Sequence, residues 1–148
     1  MNTEQTERRI KLIKYLLDER GEKSEIPGDE YSQKRLLRAL LNVRPPMPVS
    51  EKFLALQDEY LAAIREEKGV TRVDDLIFNN GIALYKGDIT RVNADAIVNA
   101  ANSAMLGCFC PNHGCIDNAI HTFAGVQVRL DCNDIMRGRS AENGEVIV

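Results

Sequence analysis

The sequence predicts an α/β protein, in which a helical N-terminal extension over residues 1–70 precedes a mixed sheet with flanking helices over residues 71–148. Three observations support this class. Apolar residues recur at helical spacing through the first 70 residues, short β-prone runs follow, and a further helical stretch lies between two of those runs. A chain of 148 residues is long enough for one hydrophobic core, with at most one domain and an appendage.

Three helices are predicted in the N-terminal extension. Apolar residues of Ile10–Leu17 fall mostly on one face, and Gly21 is placed to end that helix. A second helix is expected over residues 36–43, and a third from the N-cap residue Ser50 to Gly69. We expect these helices to form a layer packed on the sheet; an independent binding module is the alternative.

Three short β-prone runs follow, at residues 82–86, 96–99 and 144–148. Residues 115–137 carry apolar positions at helical spacing between the second and third runs. Strand, loop, helix and strand in this order predict a βαβ unit, whose parallel strands bury both faces. Because the chain stops inside the third strand, we expect the sheet to be incomplete at the C-terminus.

Composition limits the classes of partner. A net charge of −3 and a pI near 5.5 argue against a broad electrostatic surface for nucleic acid or for an anionic membrane, so neither is expected as a partner. No apolar run is long enough to span a bilayer. Residues 1–9 carry acids where a signal peptide has a basic region, and we therefore expect a cytoplasmic protein.

All the cysteines lie in the last third of the chain, at Cys108, Cys110, Cys115 and Cys132. An even number permits two disulfides. A cytoplasmic chain keeps its thiols reduced, however, and three of the four cluster around His113, which favours a metal site. Cys132 lies in helical sequence, where a cysteine is more often a small buried hydrophobe.

Cys108, His113 and Cys115 have a spacing that can close on zinc. His113 and Cys115 are two residues apart and point to the same side of an extended segment, and Cys108 returns to them over five residues. Three ligands leave a fourth position open, as in catalytic zinc sites. Cys110 as a fourth ligand would make the site structural, and a reduced cysteine cluster beside an exposed histidine is the third interpretation.

Polar residues follow the first two predicted strands. Asp88 comes after one strand and Asn99 and Asn102 after the next, at the carboxyl edge where open α/β sheets bind ligands. A turn or a helix cap is the simpler interpretation of Asp88, and a turn residue that of Asn99. Asp117 is placed to cap the following helix. His121 would lie on the same helix face as Asp117, and its simplest interpretation is a partly buried helix histidine.

Together these residues resemble the macrodomain family, and within it the zinc-containing branch of microbial protein-ADP-ribose hydrolases. The Gly-Asp-Ile-Thr, Asn-Ala-Ala-Asn and Asp-Asn-Ala-Ile-His segments match motifs of the family. A cysteine- and histidine-containing loop stands where other macrodomains have a glycine run, and the N-terminal extension is similar to that of the branch. In order along the chain, the matching segments are residues 42–48, 57–61, 87–90, 99–102, 107–115 and 116–125.

The resemblance implies a role for each polar residue. Asp88 would accept a hydrogen bond from the adenine amino group, and the backbone of Ile89 would complete that contact. Asn99 and Asn102 belong to the nucleotide-contacting motif, and Asn102 would hold the distal ribose. Asp117 would orient that ribose or an attacking water. The implied catalytic residues are therefore Asn102 and Asp117.

The resemblance also implies that Cys108, His113 and Cys115 hold Zn²⁺, which can polarise a ribose hydroxyl or activate a water. The substrate would be ADP-ribose on a mono-ADP-ribosylated protein, in some systems a lipoyl-carrier protein. A non-catalytic ADP-ribose-binding module, or a remnant with a structural zinc site, are the alternatives. The family pattern continues past Val148 with a loop that cradles the pyrophosphate. We therefore expect this chain to bind zinc but to hydrolyse poorly without a complementing segment.

Overall fold

The computed structural model describes residues 3–148, so Met1 and Asn2 lie outside the described part. Within it the chain forms five α-helices and two small two-stranded sheets, which confirms the mixed α/β class. The helices are α1 (Thr3–Glu19), α2 (Glu30–Val43), α3 (Glu51–Lys68), α4 (Ile116–Ala124) and α5 (Val126–Met136). The strands are β1 (Thr71–Arg72), β2 (Phe78–Asn79), β3 (Ile82–Ala83) and β4 (Val92–Asn93).

The three N-terminal helices are confirmed, and two of them begin at side-chain caps. The Asp29 carboxylate accepts a hydrogen bond from the backbone N–H of Ser32 at 2.8 Å, which starts α2. Ser50 accepts from the N–H of Phe53 at 3.2 Å and starts α3, as the sequence predicted. Each cap satisfies a backbone donor that the first helical turn leaves without a partner.

The largest hydrophobic cluster lies between the N-terminal helices. Tyr15 of α1 and Phe53 of α3 place their ring centroids 4.5 Å apart. The expected layer on a sheet is wrong in this respect, because these helices pack on one another and α2 packs on α4. Full burial of each aliphatic or aromatic side chain contributes about 1.5–3 kcal/mol. The buried members are Leu12, Ile13, Leu16, Leu17, Leu37, Leu40, Leu41, Phe53, Tyr60 and Val126.

The strands are shorter than predicted. Of the run at residues 82–86, only Ile82–Ala83 is a strand, and it pairs antiparallel with β2. The connection is the two-residue turn Asn80–Gly81, in which both residues have positive φ, as tight hairpins require. β1 pairs with β4 in parallel over two residues. The parallel element therefore involves residues that the sequence pattern did not identify.

The predicted strands at residues 96–99 and 144–148 are wrong, and with them the βαβ unit. Both segments are irregular, and Val98 and Val146 are 88% and 82% exposed. A strand needs hydrogen bonds from a neighbouring strand and a surface on which to bury its side chains. Within residues 3–148 neither segment has such a neighbour.

The predicted helix over residues 115–137 is divided into α4 and α5. Gly125, with φ of 89°, separates them in a conformation that favours glycine. Gln57 of α3 reaches into this break, where its Oε1 accepts from the N–H of Val126 at 3.0 Å. A Cβ at Gly125 would lie only 2.4 Å from Nε2 of Gln57. The break is therefore made by a contact from another helix.

No helix of the described part has the length and apolar character to cross a membrane.

Candidate metal centre

The irregular segment between Asn99 and Asp117 brings Cys108, His113 and Cys115 together. Their candidate ligand atoms all lie within 4.8 Å of one another. Sγ of Cys108 and Nδ1 of His113 lie 3.5 Å apart. The three predicted ligand residues thus form one cluster.

The cluster fits a tetrahedral metal such as zinc. Zn–S bonds of about 2.3 Å and Zn–N bonds of about 2.0–2.1 Å at tetrahedral angles place neighbouring ligand atoms about 3.6–3.8 Å apart. The Cys108–His113 separation of 3.5 Å agrees with this value, and the other separations, all within 4.8 Å, need to close by at most about an ångström. His113 is exposed and both cysteines are half-buried, so one side of the cluster faces solvent. Cys110 is exposed and outside the cluster.

A tight turn makes this convergence possible. The backbone N–H of His113 donates to the carbonyl of Cys110 at 3.2 Å, and Asn112 between them has φ of 55°. Asparagine tolerates this left-handed conformation better than most residues. The N–H of Asn112 in turn donates to Oδ1 of Asn42 in α2 at 2.9 Å. A contact with the N-terminal helices therefore supports the turn.

Cys115 is also the N-cap of α4. Its Sγ accepts from the backbone N–H of Asn118 at 3.4 Å. The prediction that Asp117 caps this helix is wrong. Asp117 lies in the first turn, 5% exposed, where a negative charge interacts favourably with the helix N-terminus.

Asp117 belongs to a buried polar group with Asn99 and His121. Nδ2 of Asn99 donates to Oδ1 of Asp117 at 2.7 Å, and Nε2 of His121 lies 3.6 Å from the same oxygen. Burial lowers the pKa of His121 below its ordinary value, and the Arg129 charge acts in the same direction, although the Asp117 carboxylate opposes both. The interpretation of His121 as a buried helix histidine is confirmed.

Two atoms of this group are buried without a hydrogen-bond partner among the described residues. They are Oδ1 of Asn99 and Nδ1 of His121. Leaving such an atom without a partner costs about 1–3 kcal/mol. A water or a ligand hydroxyl that reached Oδ1 of Asn99 would recover part of this cost. The polar group beside the ligand cluster thus has unused capacity for hydrogen bonds.

Asn102 organises the segment that leads to the ligands. Its Nδ2 donates to the carbonyl of Gly107 at 3.2 Å, and its Oδ1 accepts from the N–H of Ala104 at 3.1 Å. The side chain is exposed. A carboxamide has two donor hydrogens and two acceptor lone pairs, so half of its capacity remains for a ligand.

Asp88 caps a short 3₁₀ turn over Ile89–Arg91 rather than following a strand directly. Its Oδ1 accepts from the N–H and hydroxyl of Thr90 at 3.0 and 2.6 Å. Partial burial opposes ionisation, but the Thr90 hydrogen bonds and the charges of Lys68 and Arg91 lower the net pKa of Asp88. The simpler interpretation, a cap, is therefore confirmed, and the carboxylate is ionised at neutral pH.

Ile89 lies against α4, at an open cavity of about 480 Å³. The side chains of Ile97, Ile120 and Phe123 also line this cavity. α4 thus carries Asp117 at its start and part of this apolar surface further along. The helix connects the two halves of the predicted site.

Several residues with no role in the sequence predictions contact residues 106–115, the ligand loop, which carries the three candidate ligands. Arg38 and Asn42 of α2 and Asn118 of α4 bind its backbone. Arg129 of α5 donates to the carbonyl of Leu106 at 2.7 Å, and its guanidinium lies 4.3 Å from the ring centroid of Phe109. Asn42 and Asn118 fall inside the matching segments at residues 42–48 and 116–125, but no local signal identifies Arg38 or Arg129, because most of their partners are distant in sequence.

This chain is similar to macrodomain proteins and to protein-ADP-ribose hydrolases. Residues 98–148 match the sequence profile described as the Macro domain. A protein-ADP-ribose hydrolase of Treponema medium is 50% identical over 145 residues, covering 93% of this chain and 56% of that protein. A protein-ADP-ribose hydrolase of Staphylococcus aureus is 52% identical over 111 residues, covering 74% of this chain and 41% of that protein. This chain spans about half the length of the curated relatives it matches.

Proposed function

This chain belongs to the macrodomain family, with relatives named protein-ADP-ribose hydrolases, and from that premise we propose that it takes part in zinc-dependent removal of mono-ADP-ribose from a modified protein. The observation that carries the proposal is the convergence of Cys108, His113 and Cys115 within 4.8 Å. Asp117, a member of the buried polar group, lies two residues after Cys115.

The two cysteines would hold zinc as thiolates and His113 as a neutral imidazole. When bound, the ion supplies a Lewis acid for an oxygen of the substrate at the coordination position that three ligands leave open. The exposed side of His113 gives that position access to a large substrate. A site closed by four protein ligands would lack this access.

Asp117 would act on the nucleophile. The hydrogen bond from Asn99 fixes the orientation of its carboxylate, which can then accept a proton from an attacking water. The water oxygen bonds to the anomeric carbon of the distal ribose, and the bond from that carbon to the protein side chain breaks. The proton that Asp117 accepted from the water would then pass to the leaving side chain, which restores the Asp117 carboxylate. Asn102, with donor and acceptor capacity left, would hold the ribose hydroxyls.

The adenine end would be held by Asp88 and Ile89. An ionised Asp88 is an acceptor only, which suits the adenine amino group, and one oxygen is already fixed by Thr90. The backbone of Ile89 follows directly, and the neighbouring cavity offers apolar contact for the base. The lipoyl-carrier protein and the cytoplasmic location stay predictions.

Three measurements on the purified chain test the proposal. Metal analysis should find one zinc per chain, lost in Cys108→Ser and His113→Ala variants. Calorimetry should detect binding of free ADP-ribose. Release of ADP-ribose from a mono-ADP-ribosylated protein should stop when zinc is chelated and return when zinc is restored.

The outcomes separate the competing functions. Binding of ADP-ribose without release would identify a binding module. Zinc that needs Cys110 as well, with no ADP-ribose binding, would identify a structural site. Because this chain spans about half the length of the Treponema medium relative, release is also measured after adding the C-terminal half of that relative as a separate polypeptide. Chelator-resistant release would contradict zinc dependence.

A further inference from the structure

The ligand loop is attached to α2 and α4 by two side chains, and we propose that Arg38 and Asn118 are positioning residues of the metal centre. Together they form a clamp, the Arg38–Asn118 clamp, that contacts all three ligand-bearing residues. This inference rests on the proposed zinc site and deepens it. Its consequence is that helix α2 of the N-terminal extension sets metal affinity.

Asn118 is the centre of the clamp. Its side chain is fully buried, and Nδ2 donates to the carbonyls of Cys110 at 3.0 Å and Cys108 at 3.4 Å. Its backbone N–H donates to Sγ of Cys115 at 3.4 Å. One residue therefore contacts the backbone of the first ligand and the sulfur of the third.

Arg38 contacts the remaining ligand-bearing residue, His113. Its Nε and one terminal nitrogen donate to Oδ1 of Asn118 at 3.1 and 2.7 Å. The same terminal nitrogen donates to the carbonyl of His113 at 3.0 Å. Among the described residues no carboxylate forms an ion pair with Arg38. Its donors therefore serve the amide and the loop rather than a neighbouring acid.

These contacts matter for binding because the ligands come from an irregular loop. A loop that is free to move must be ordered when the metal binds, and that entropic cost lowers affinity. Residues outside the coordination sphere that hold the ligands in place reduce the cost, and their loss typically weakens metal binding about 10- to 100-fold. A planar guanidinium suits this task, since it can reach two acceptors at once.

The test compares substitutions at neighbouring positions of α2. Arg38→Met keeps most of the side-chain length but removes every donor. Arg35→Met removes the same charge from an exposed residue, whose guanidinium only approaches the Tyr31 ring at 5.8 Å. Zinc affinity is measured by competition with a chelating indicator at a fixed neutral pH. We expect about 10- to 100-fold weaker binding for Arg38→Met and wild-type affinity for Arg35→Met.

Arg38→Lys separates geometry from charge. Lysine keeps the positive charge but lacks the fork that reaches both Asn118 and His113, so its affinity should also fall. The absorption spectrum of the cobalt-substituted protein gives a second readout, and should change in both Arg38 variants. Circular dichroism and thermal melting without metal check the fold, and the lysine variant carries the test if the methionine variant does not fold.

The outcomes distinguish the clamp from the zinc site itself. Weaker binding in both Arg38 variants, with Arg35→Met unchanged, supports the clamp. Wild-type affinity and cobalt spectra in both Arg38 variants overturn it while leaving the zinc site intact. A wild-type chain that binds no zinc, or that binds it equally after Cys108→Ser, overturns the proposed function and the clamp with it.

Discussion

Replacing Gly107 with alanine is predicted to destabilise the protein and to weaken metal binding through contact with a buried histidine. Gly107 has φ of 83° and directly precedes Cys108, a proposed zinc ligand. A Cβ at this position would lie 2.7 Å from Cγ of His121 and 2.8 Å from two other atoms of the ring. The histidine is buried in α4 and cannot move without disturbing its neighbours.

Two costs make up the expected effect. A left-handed conformation costs a residue with a Cβ about 1–2 kcal/mol relative to glycine. Overpacking against a buried ring costs about 1–3 kcal/mol more. The sum of about 2–5 kcal/mol is a large share of the 5–15 kcal/mol that typically stabilises a domain. The variant should therefore fold, but with a clearly lower free energy of unfolding.

Urea denaturation measures this difference, and Gly114→Ala is the matched control. Gly114 lies between His113 and Cys115, and a Cβ there would meet nothing within 4 Å. Its substitution should change stability by less than about 0.5 kcal/mol. A double-mutant cycle with His121→Ala isolates the contact, since removing the ring relieves the overlap but leaves the backbone cost. Equal unfolding midpoints for Gly107→Ala and Gly114→Ala would refute the reasoning.

Three further predictions concern the metal, pH and nucleotide binding. Cys108→Ser should lose stoichiometric zinc in elemental analysis, whereas Cys110→Ser should retain it; loss in both would make Cys110 a ligand. Because the pKa of His121 is lowered in the fold, the unfolded state takes up that proton first, so stability should fall as pH drops below about 6.5. Urea denaturation at several pH values should show that the free energy of unfolding falls less steeply with decreasing pH in His121→Gln than in the wild type. An equally steep fall would contradict this cause. Asp88→Ala should weaken ADP-ribose binding about tenfold by calorimetry, a typical effect of losing one charged hydrogen bond, and Asp74→Ala should leave it unchanged.

The helices and the grouping of the three candidate ligand residues could be predicted because their signals are local. Ser50 and Gly69 mark the ends of α3 in the sequence itself, and the three ligand residues fall within eight positions. Cap chemistry and ligand spacing operate between near neighbours, so a single sequence contains them. The same applies to the approach of His121 to Asp117, one helical turn apart.

The strand predictions were wrong because strand formation depends on partners that are distant in sequence. Residues 96–99 have the composition of a strand, yet a strand exists only where a neighbour supplies hydrogen bonds, and composition does not contain that information. The break at Gly125 likewise depends on Gln57, nearly 70 positions earlier. Arg38 was not predicted because its partner Asn118 is 80 positions away, and one arginine in a helix gives no sign of such a distant partner.

The hydrogen bonds of the ligand loop explain why its geometry depends on the whole chain. Its carbonyls accept from Arg38 of α2, Asn118 of α4 and Arg129 of α5, and an N–H of the loop donates to Asn42 of α2. In the described part no strand supplies any of these contacts. The spacing of Cys108, His113 and Cys115 thus provides the candidate ligand atoms, while helices on both sides in sequence hold these atoms within 4.8 Å of one another. Separating the proposed metal centre from the N-terminal helices would leave the carbonyl of His113 and the N–H of Asn112 without these partners.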